Sequence, residues 1–171
     1  MATVLVTGTN RGIGLEFVEQ LAARGDRVLA TCRCIREATK LLLLDEKYDA
    51  VQLFEMDVAD IESMKGFAAE IESEAIDIFI NNAGVYGPKT VQFGNVDSST
   101  WASVLQINTI APLILTQLLI NNLRRGVDHK LLYLSSKVGS IADNQGGGGY
   151  MYRSSKTALN QVVKSLSVDL A

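Results

Sequence analysis

The chain has 171 residues, 47% of them hydrophobic and 20% charged, with a formal net charge of −3. That balance excludes a disordered chain, and two prolines without a glycine period exclude collagen-like and low-complexity classes. The acidic balance argues against a broad basic surface, so neither nucleic acid nor an anionic membrane is an expected partner.

The elements alternate. Thr3 to Thr7 is a short β-branched run, and Ile13 to Ala23 follows helical spacing through Ile13, Phe17, Val18 and Leu21. Gly25 falls where a helix C-cap would, and Arg27 to Thr31 reads as the second strand. Arg36 to Leu44 reads as a helix whose leucines blur the period, and Val51 to Glu55 as the third strand. Asp60 is placed to cap a helix with Ile61, Met64, Phe67, Ala68 and Ile71 on one stripe. Ile76 to Ile80 is the fourth strand. Ser98 or Ser99 opens a long helix to about Leu123, and Lys130 to Leu134 is the fifth strand. From about Tyr150 a last helix carries Leu159, Val162, Val163, Leu166 and Leu170 on one side.

The fourth and fifth strands are almost continuously apolar, as expected of parallel strands covered on both faces, and the strand–helix alternation implies an open parallel α/β sheet with helices on both faces and right-handed crossovers. No linker or repeat divides the chain, so a single domain over residues 1–171 is expected. The dinucleotide-binding (Rossmann) arrangement of such sheets has the strand order 3-2-1-4-5-6, and only its first five strands can be counted.

Cys32 and Cys34 sit one residue apart at the apolar stretch Val28 to Thr31 that reads as a strand, and the single histidine, His129, is far along the chain. No metal site is expected from them, and strand cysteines suit a reducing cytosol. Met1-Ala2 runs straight into the first strand without a basic leader. The apolar run Leu113 to Ile120 is interrupted by Thr116 and Gln117, well short of the roughly 18 residues of a membrane span. A soluble cytoplasmic protein is expected.

Three motifs carry chemistry. After strand one comes Thr7-Gly8-Thr9-Asn10-Arg11-Gly12-Ile13-Gly14, with a helix starting inside it. Glycines allow a tight turn and close approach to a pyrophosphate, and the helix start offers unpaired N–H groups and a positive dipole end. The same pattern also fits a βα turn that binds nothing. Arg33 follows strand two, where an acidic residue would accept the ribose hydroxyls of NAD; a basic residue favours a 2′-phosphate, hence NADP(H) over NAD(H). Asp57-Val58 and Asn81-Asn82-Ala83-Gly84 follow strands three and four at the carboxyl edge where ligands of such sheets bind, although Asx turns would explain the asparagines equally well.

The last motif is Tyr152-x-x-x-Lys156. On a helix the two side chains share a face. A phenol holds its proton too tightly to exchange it at neutrality, and a fixed cation one turn away favours the deprotonated form. Alone, this spacing also fits an ordinary helix-surface pair. Ser135-Ser136 ends strand five.

The glycine motif, Asn81-Asn82-Ala83-Gly84, Ser136 and Tyr152-x-x-x-Lys156, in that order, resemble the short-chain dehydrogenase/reductase family over essentially the whole chain. Arg11 and Arg33 are typical of its NADP-using members. The stretch from Gly139 to Asn160 is most similar to the carbonyl reductase-like subgroup that includes Sniffer and C-factor proteins. The resemblance implies hydride transfer between a nicotinamide and a small-molecule carbonyl or alcohol. It makes Tyr152 the general acid/base and Lys156 the group that assists it and holds the nicotinamide ribose. Ser136 would hydrogen-bond the substrate oxygen. It implies cofactor contacts from Gly8, Asn10, Arg11, Gly12, Ile13, Gly14, Arg33, Asp57, Val58, Asn82, Ala83, Gly84, Tyr152 and Lys156. A homodimer or homotetramer would also be in keeping with the family.

The family's helical Asn corresponds to Asn108. Pro112, four residues on, cannot donate to the carbonyl of residue 108, so it should kink the helix there. The freed carbonyl would suit the family's proton relay through Asn108 and Lys156. Two departures stand out. The gap from Ser136 to Tyr152 is lengthened by Gln145 to Gly149, which leaves Ser135 and Ser140 as substitutes for Ser136. Family members also continue into a further strand, lid elements and a last strand, so the chain reads as the first two-thirds of a larger protein. The alternative is a truncated, non-catalytic form that binds nucleotide weakly or acts through partners, in a C-factor-like signalling role.

Overall fold

The computed structural model describes residues 1–171. Five parallel strands form one sheet in the order β3-β2-β1-β4-β5, with β1 Thr3–Thr7, β2 Arg27–Cys32, β3 Val51–Glu55, β4 Ile78–Asn81 and β5 Lys130–Tyr133. These are five consecutive positions of the Rossmann order, as the apolar runs anticipate. The helices are α1 Gly12–Ala23, α2 Thr39–Lys47, α3 Ile61–Glu70, α4 Ser98–Leu105, α5 Ala111–Leu118, α6 Ile120–Arg125 and α7 Tyr150–Asp169. None is long and apolar enough to cross a membrane.

Contacts divide the chain into two compact units: residues 1–83 with 115–134, and residues 84–114 with 135–171. The first holds the whole sheet. Side chains alternate across each strand, so Val4, Val6, Val28 and Ala30 face one side and pack with Val18 and Leu21 of α1 and Leu41 of α2. Phe54 and Phe79 point the other way. Phe54 meets Phe67 of α3 edge-on at 5.4 Å, and Phe79 meets Tyr133 at 6.0 Å. The Tyr133 hydroxyl lies 2.6 Å from Thr116 Oγ1, and Asn122 donates to the carbonyls of Ile71 (2.6 Å) and Glu74 (3.0 Å). β5 forms an edge of the sheet with Leu132 exposed.

Asp77 ties three segments together. Its carboxylate accepts from the N–H groups of Thr3 and Val127, both at 2.7 Å, and these bonds hold it below the usual carboxylate range. A carboxyl whose folded pKa is depressed stabilises the fold fully above its unfolded pKa, about 4, and loses that contribution as pH falls through the folded value. Asp77→Asn is therefore expected to lower the urea midpoint at pH 7 and to lower it less at pH 3.

The second unit is built on α4 and α7. Asp97 caps α4, accepting from Thr100 N–H at 2.7 Å and from the Ser99 hydroxyl at 2.6 Å, which together hold its carboxyl down to about 2. The helix opens at Ser98, as its sequence suggests, and the Asp97 carboxylate that caps it also favours the positive helix end. The long helix expected to about Leu123 is interrupted twice. Gln106–Ile110 forms a π turn in which Ala111 N–H reaches back to Gln106, just where Pro112 denies Asn108 its normal donor. Leu119 then separates α5 from α6. On α7, Leu159 and Leu166 are buried, whereas Leu170 is exposed.

Candidate active site

The glycine loop after β1 is held from two sides within the first unit. Gly8 and Thr9 N–H both donate to Thr31 O at 3.0 Å, and Thr9 Oγ1 donates to the same carbonyl. From β4, Asn82 Nδ2 donates to the carbonyls of Thr7 (2.8 Å) and Gly8 (3.0 Å), while Thr7 Oγ1 accepts from the N–H groups of Asn82 and Ala83. Thr7 is a residue that motif reading passes over. Its place before Gly8 is the only signal, and its hydroxyl joins the two carboxyl-end loops.

Helix α1 begins at Gly12 with Arg11 at its N-cap in extended backbone, no side chain capping it and no carboxylate in its first turn. Gly12 has φ +60°, and a Cβ there would project into open space. Unpaired N–H groups, a positive helix end and a bare backbone surface fit a pyrophosphate. Asn10 and Arg11 are exposed, as is Ile13, which leaves the apolar stripe that its helical position suggests. Arg33 is exposed beyond β2. The loop after it is pinned by Ile35 N–H donating to Glu55 Oε1 at 2.8 Å. Asp57 follows β3 and accepts from Ala59 N–H at 2.9 Å, with Val58 half-buried beside it in sequence.

In the second unit, which opens at Gly84, Asn108 is buried and all of its side chain is engaged. Its Oδ1 accepts from Val85 N–H (2.9 Å), and its Nδ2 donates to Val85 O (2.8 Å) and Ser155 Oγ (2.9 Å). Thr109 Oγ1 adds a bond to Ser155 O at 2.9 Å, and Trp101 Nε1 donates to Ser154 Oγ at 2.9 Å. The middle of α7 is thereby fixed where Tyr152 and Lys156 project. Ser155, a further residue that spacing alone does not single out, is the anchor.

Lys156 Nζ lies 5.8 Å from the centroid of the Tyr152 ring. Lys156 is buried, and desolvation lowers the pKa of its ammonium below the ordinary lysine value. The Tyr152 ring is stacked on Tyr86, centroids 4.6 Å apart and planes at 31°. Ser136 caps the turn Lys137–Gly139, its Oγ accepting from Val138 N–H at 3.3 Å. That turn rests on α7: Thr157 Oγ1 donates to Gly139 O at 2.9 Å, and a Cβ on Gly139 would stand 3.0 Å from Lys156 carbonyl carbon. Of the substitute serines, Ser135 donates to Asn160 Oδ1 at 2.6 Å and Ser140 accepts from Asp143 N–H at 3.3 Å. Ser135 is thus tied to α7, whereas Ser136 and Ser140 each bond only within their own turn. The inserted residues Gly147, Gly148 and Gly149 all have φ near +60°, so the loop doubles back on itself before α7 starts at Tyr150. A cleft of about 480 Å³ opens beside this loop, lined by Val138, Ile141, Asn144, Arg153 and Thr157; Tyr152 and Lys156 lie on the adjacent face of α7 and do not line it.

The family model of the short chain dehydrogenases matches residues 2–171. The chain belongs to that family. Among its relatives, the C-signal of Myxococcus xanthus is 40% identical over 107 residues, 63% of this chain and 64% of the relative. The chain thus spans just under two-thirds of that relative's length. Solved structures agree in shape. The carbonyl reductase Sniffer of D. melanogaster superposes with a TM-score of 0.91 at 32% identity, covering 99% of this chain and 75% of the other. A carbonyl reductase from Pseudomonas aeruginosa PAO1 in complex with NADP gives 0.88 at 30% identity, covering 99% and 76%. Family membership accounts for the Rossmann strand order and for the order of the motifs along this short-chain dehydrogenase sequence.

Proposed function

We propose that this short-chain dehydrogenase reduces a small-molecule carbonyl to an alcohol with NADPH, Tyr152 serving as the general acid. One observation carries the reading: a tyrosine and a buried lysine one turn apart on α7, in a helix segment locked by Asn108, Thr109 and Trp101. When bound, the reduced nicotinamide supplies a hydride to the carbonyl carbon. The Tyr152 hydroxyl gives its proton to the carbonyl oxygen as charge grows there, and the Ser136 hydroxyl donates a hydrogen bond to the same oxygen. Lys156 provides the fixed positive charge that Tyr152 needs when it has lost its proton, and it holds the ribose hydroxyls. Asn108 acts through its backbone carbonyl in the proton relay, since its side chain is spent on Val85 and Ser155.

The glycine loop and the start of α1 hold the pyrophosphate, Asp57 and Val58 the adenine, and Asn82, Ala83 and Gly84 the adjoining ribose. Arg11 and Arg33 take the 2′-phosphate; the NADP in the Pseudomonas carbonyl reductase supports that choice. The test is NADPH oxidation at 340 nm with a panel of aldehydes and ketones. Arg33→Asp is expected to weaken NADPH binding by about 10- to 100-fold, the loss of one or two charged hydrogen bonds, and to leave NADH binding unchanged or improved. Equal losses for both cofactors would show that Arg33 does not read the 2′ position.

The likeness to the C-signal supports a second reading, a nucleotide-binding chain that acts through a partner without turnover. Saturable NADPH binding with no carbonyl-dependent oxidation in any panel member would favour it.

A further inference from the structure

Tyr86 lies in a loop, with no periodic pattern to explain a large ring there, and it is 51% exposed. Its backbone is nevertheless fixed on both sides. Asn108 bonds both the N–H and the carbonyl of Val85. On the other side Gly87 has φ +78°, and a Cβ there would stand 3.0 Å from Val104 Cγ2, so a residue that is not glycine would be strained in backbone and crowded against α4. Between these two clamps the Tyr86 ring is laid on Tyr152, at the short end of the usual range for aromatic pairs.

We propose that Tyr86 is a specificity-determining residue that favours carbonyls borne directly on an aromatic ring. The inference rests on Tyr152 being the acid of a carbonyl reduction. A carbonyl oxygen that takes a proton from Tyr152 sits within about 3 Å of the phenol oxygen, so a substituent on its carbon lies within a ring's width of Tyr152 and meets the open part of Tyr86. A flat aromatic substituent offers a complementary quadrupole and a matching shape there. A saturated ring of similar volume offers only dispersion. The difference corresponds to about two- to tenfold in affinity.

The experiment titrates acetophenone and cyclohexyl methyl ketone into the protein saturated with NADP⁺, which has no hydride to give, and reads binding by calorimetry or saturation-transfer NMR. The wild type is expected to bind acetophenone about two- to tenfold more tightly. Tyr86→Leu is expected to bring that ratio close to one, and Tyr86→Phe to retain it. In the unliganded protein the ring-proton resonances of Tyr152 should lose their ring-current shift in Tyr86→Leu and keep it in Tyr86→Phe. A ratio unchanged in Tyr86→Leu, no preference in the wild type, or binding of neither ketone would each overturn the inference. None of these outcomes touches the role of Tyr152, which the Tyr152→Phe rate decides.

Discussion

Tyr152→Phe is expected to lower kcat/KM for carbonyl reduction by about 10²–10⁴-fold, the range ordinarily supplied by a positioned general acid. The substitution removes a single oxygen. The ring that stacks on Tyr86 remains, as do the Ser155 bonds that fix α7, so the fold and the helix register should survive. What disappears is the proton aimed at the carbonyl oxygen, and a water would have to supply it without the pre-set alignment. Affinity for NADPH should change far less than the rate, because most of its contacts are assigned to the glycine loop and the arginines. Lys156→Met makes a different mark. Burial lowers the pKa of the Lys156 ammonium, so a reaction that needs this cation should weaken at an alkaline pH lower than an ordinary lysine would give. The Met variant should be slow throughout and lack that limb. Full activity in Tyr152→Phe would overturn the assignment of the acid; the measurement is initial-rate NADPH oxidation for both variants across pH, with circular dichroism as the folding control.

The sheet is legible in the sequence because parallel strands covered on both faces read as nearly continuous apolar runs; the fourth and fifth strands carry that signal, and β4 is buried accordingly, whereas β5 lies at an edge of the sheet with Leu132 exposed. The glycine motif is legible because close backbone approaches at Gly8 and Gly14, and a φ of +60° at Gly12, disfavour any other residue type. The helical region from Ser98 to Arg125 is less so. Pro112 announces that something breaks near Asn108, yet a kink and a π turn have the same sequence signal. The break at Leu119 has none, since neither glycine nor proline marks it. Ile13 continues the helical stripe of Phe17 and Leu21 on paper, but it sits in the first turn of α1 and is exposed, the contact with the end of β1 being made by its neighbour Gly14. Tyr86 is invisible for another reason. Loop residues follow no period, and the contact that gives Tyr86 meaning is with a residue 66 positions away in the chain, set by Asn108 and Gly87 rather than by neighbours in sequence.

Gly14→Ala is expected to cost about 2–4 kcal/mol of stability and to abolish measurable NADPH binding, a larger effect than a buried methyl usually has. Gly14 is fully helical in backbone, so conformational freedom is not the reason glycine is needed. Space is. A Cβ at this position would stand 2.3 Å from Gly8 O and 2.5 Å from Asn82 Nδ2. Neither group can yield cheaply. Gly8 O already accepts from that same Asn82 amide at 3.0 Å, which also holds Thr7 O at 2.8 Å, and Gly8 N–H is bonded to β2 through Thr31 O. Relief therefore requires α1 to move off the end of β1, carrying the N–H groups of its first turn with it. Those are the groups assigned to the pyrophosphate, so a shift of about 1 Å disturbs every bond made there at once. Gly12→Ala is the matched control. Its Cβ would meet nothing within 4 Å, so its cost to folding comes only from a φ of +60°, about 1–2 kcal/mol, while the methyl would project into the surface assigned to the cofactor. Thermal unfolding with and without NADP⁺ separates the two: Gly14→Ala should lose both intrinsic stability and the ligand-induced rise in Tm, and Gly12→Ala chiefly the second. A Gly14→Ala protein with wild-type Tm and an undiminished NADP⁺ shift would show that the helix and the loop are not locked together through this contact.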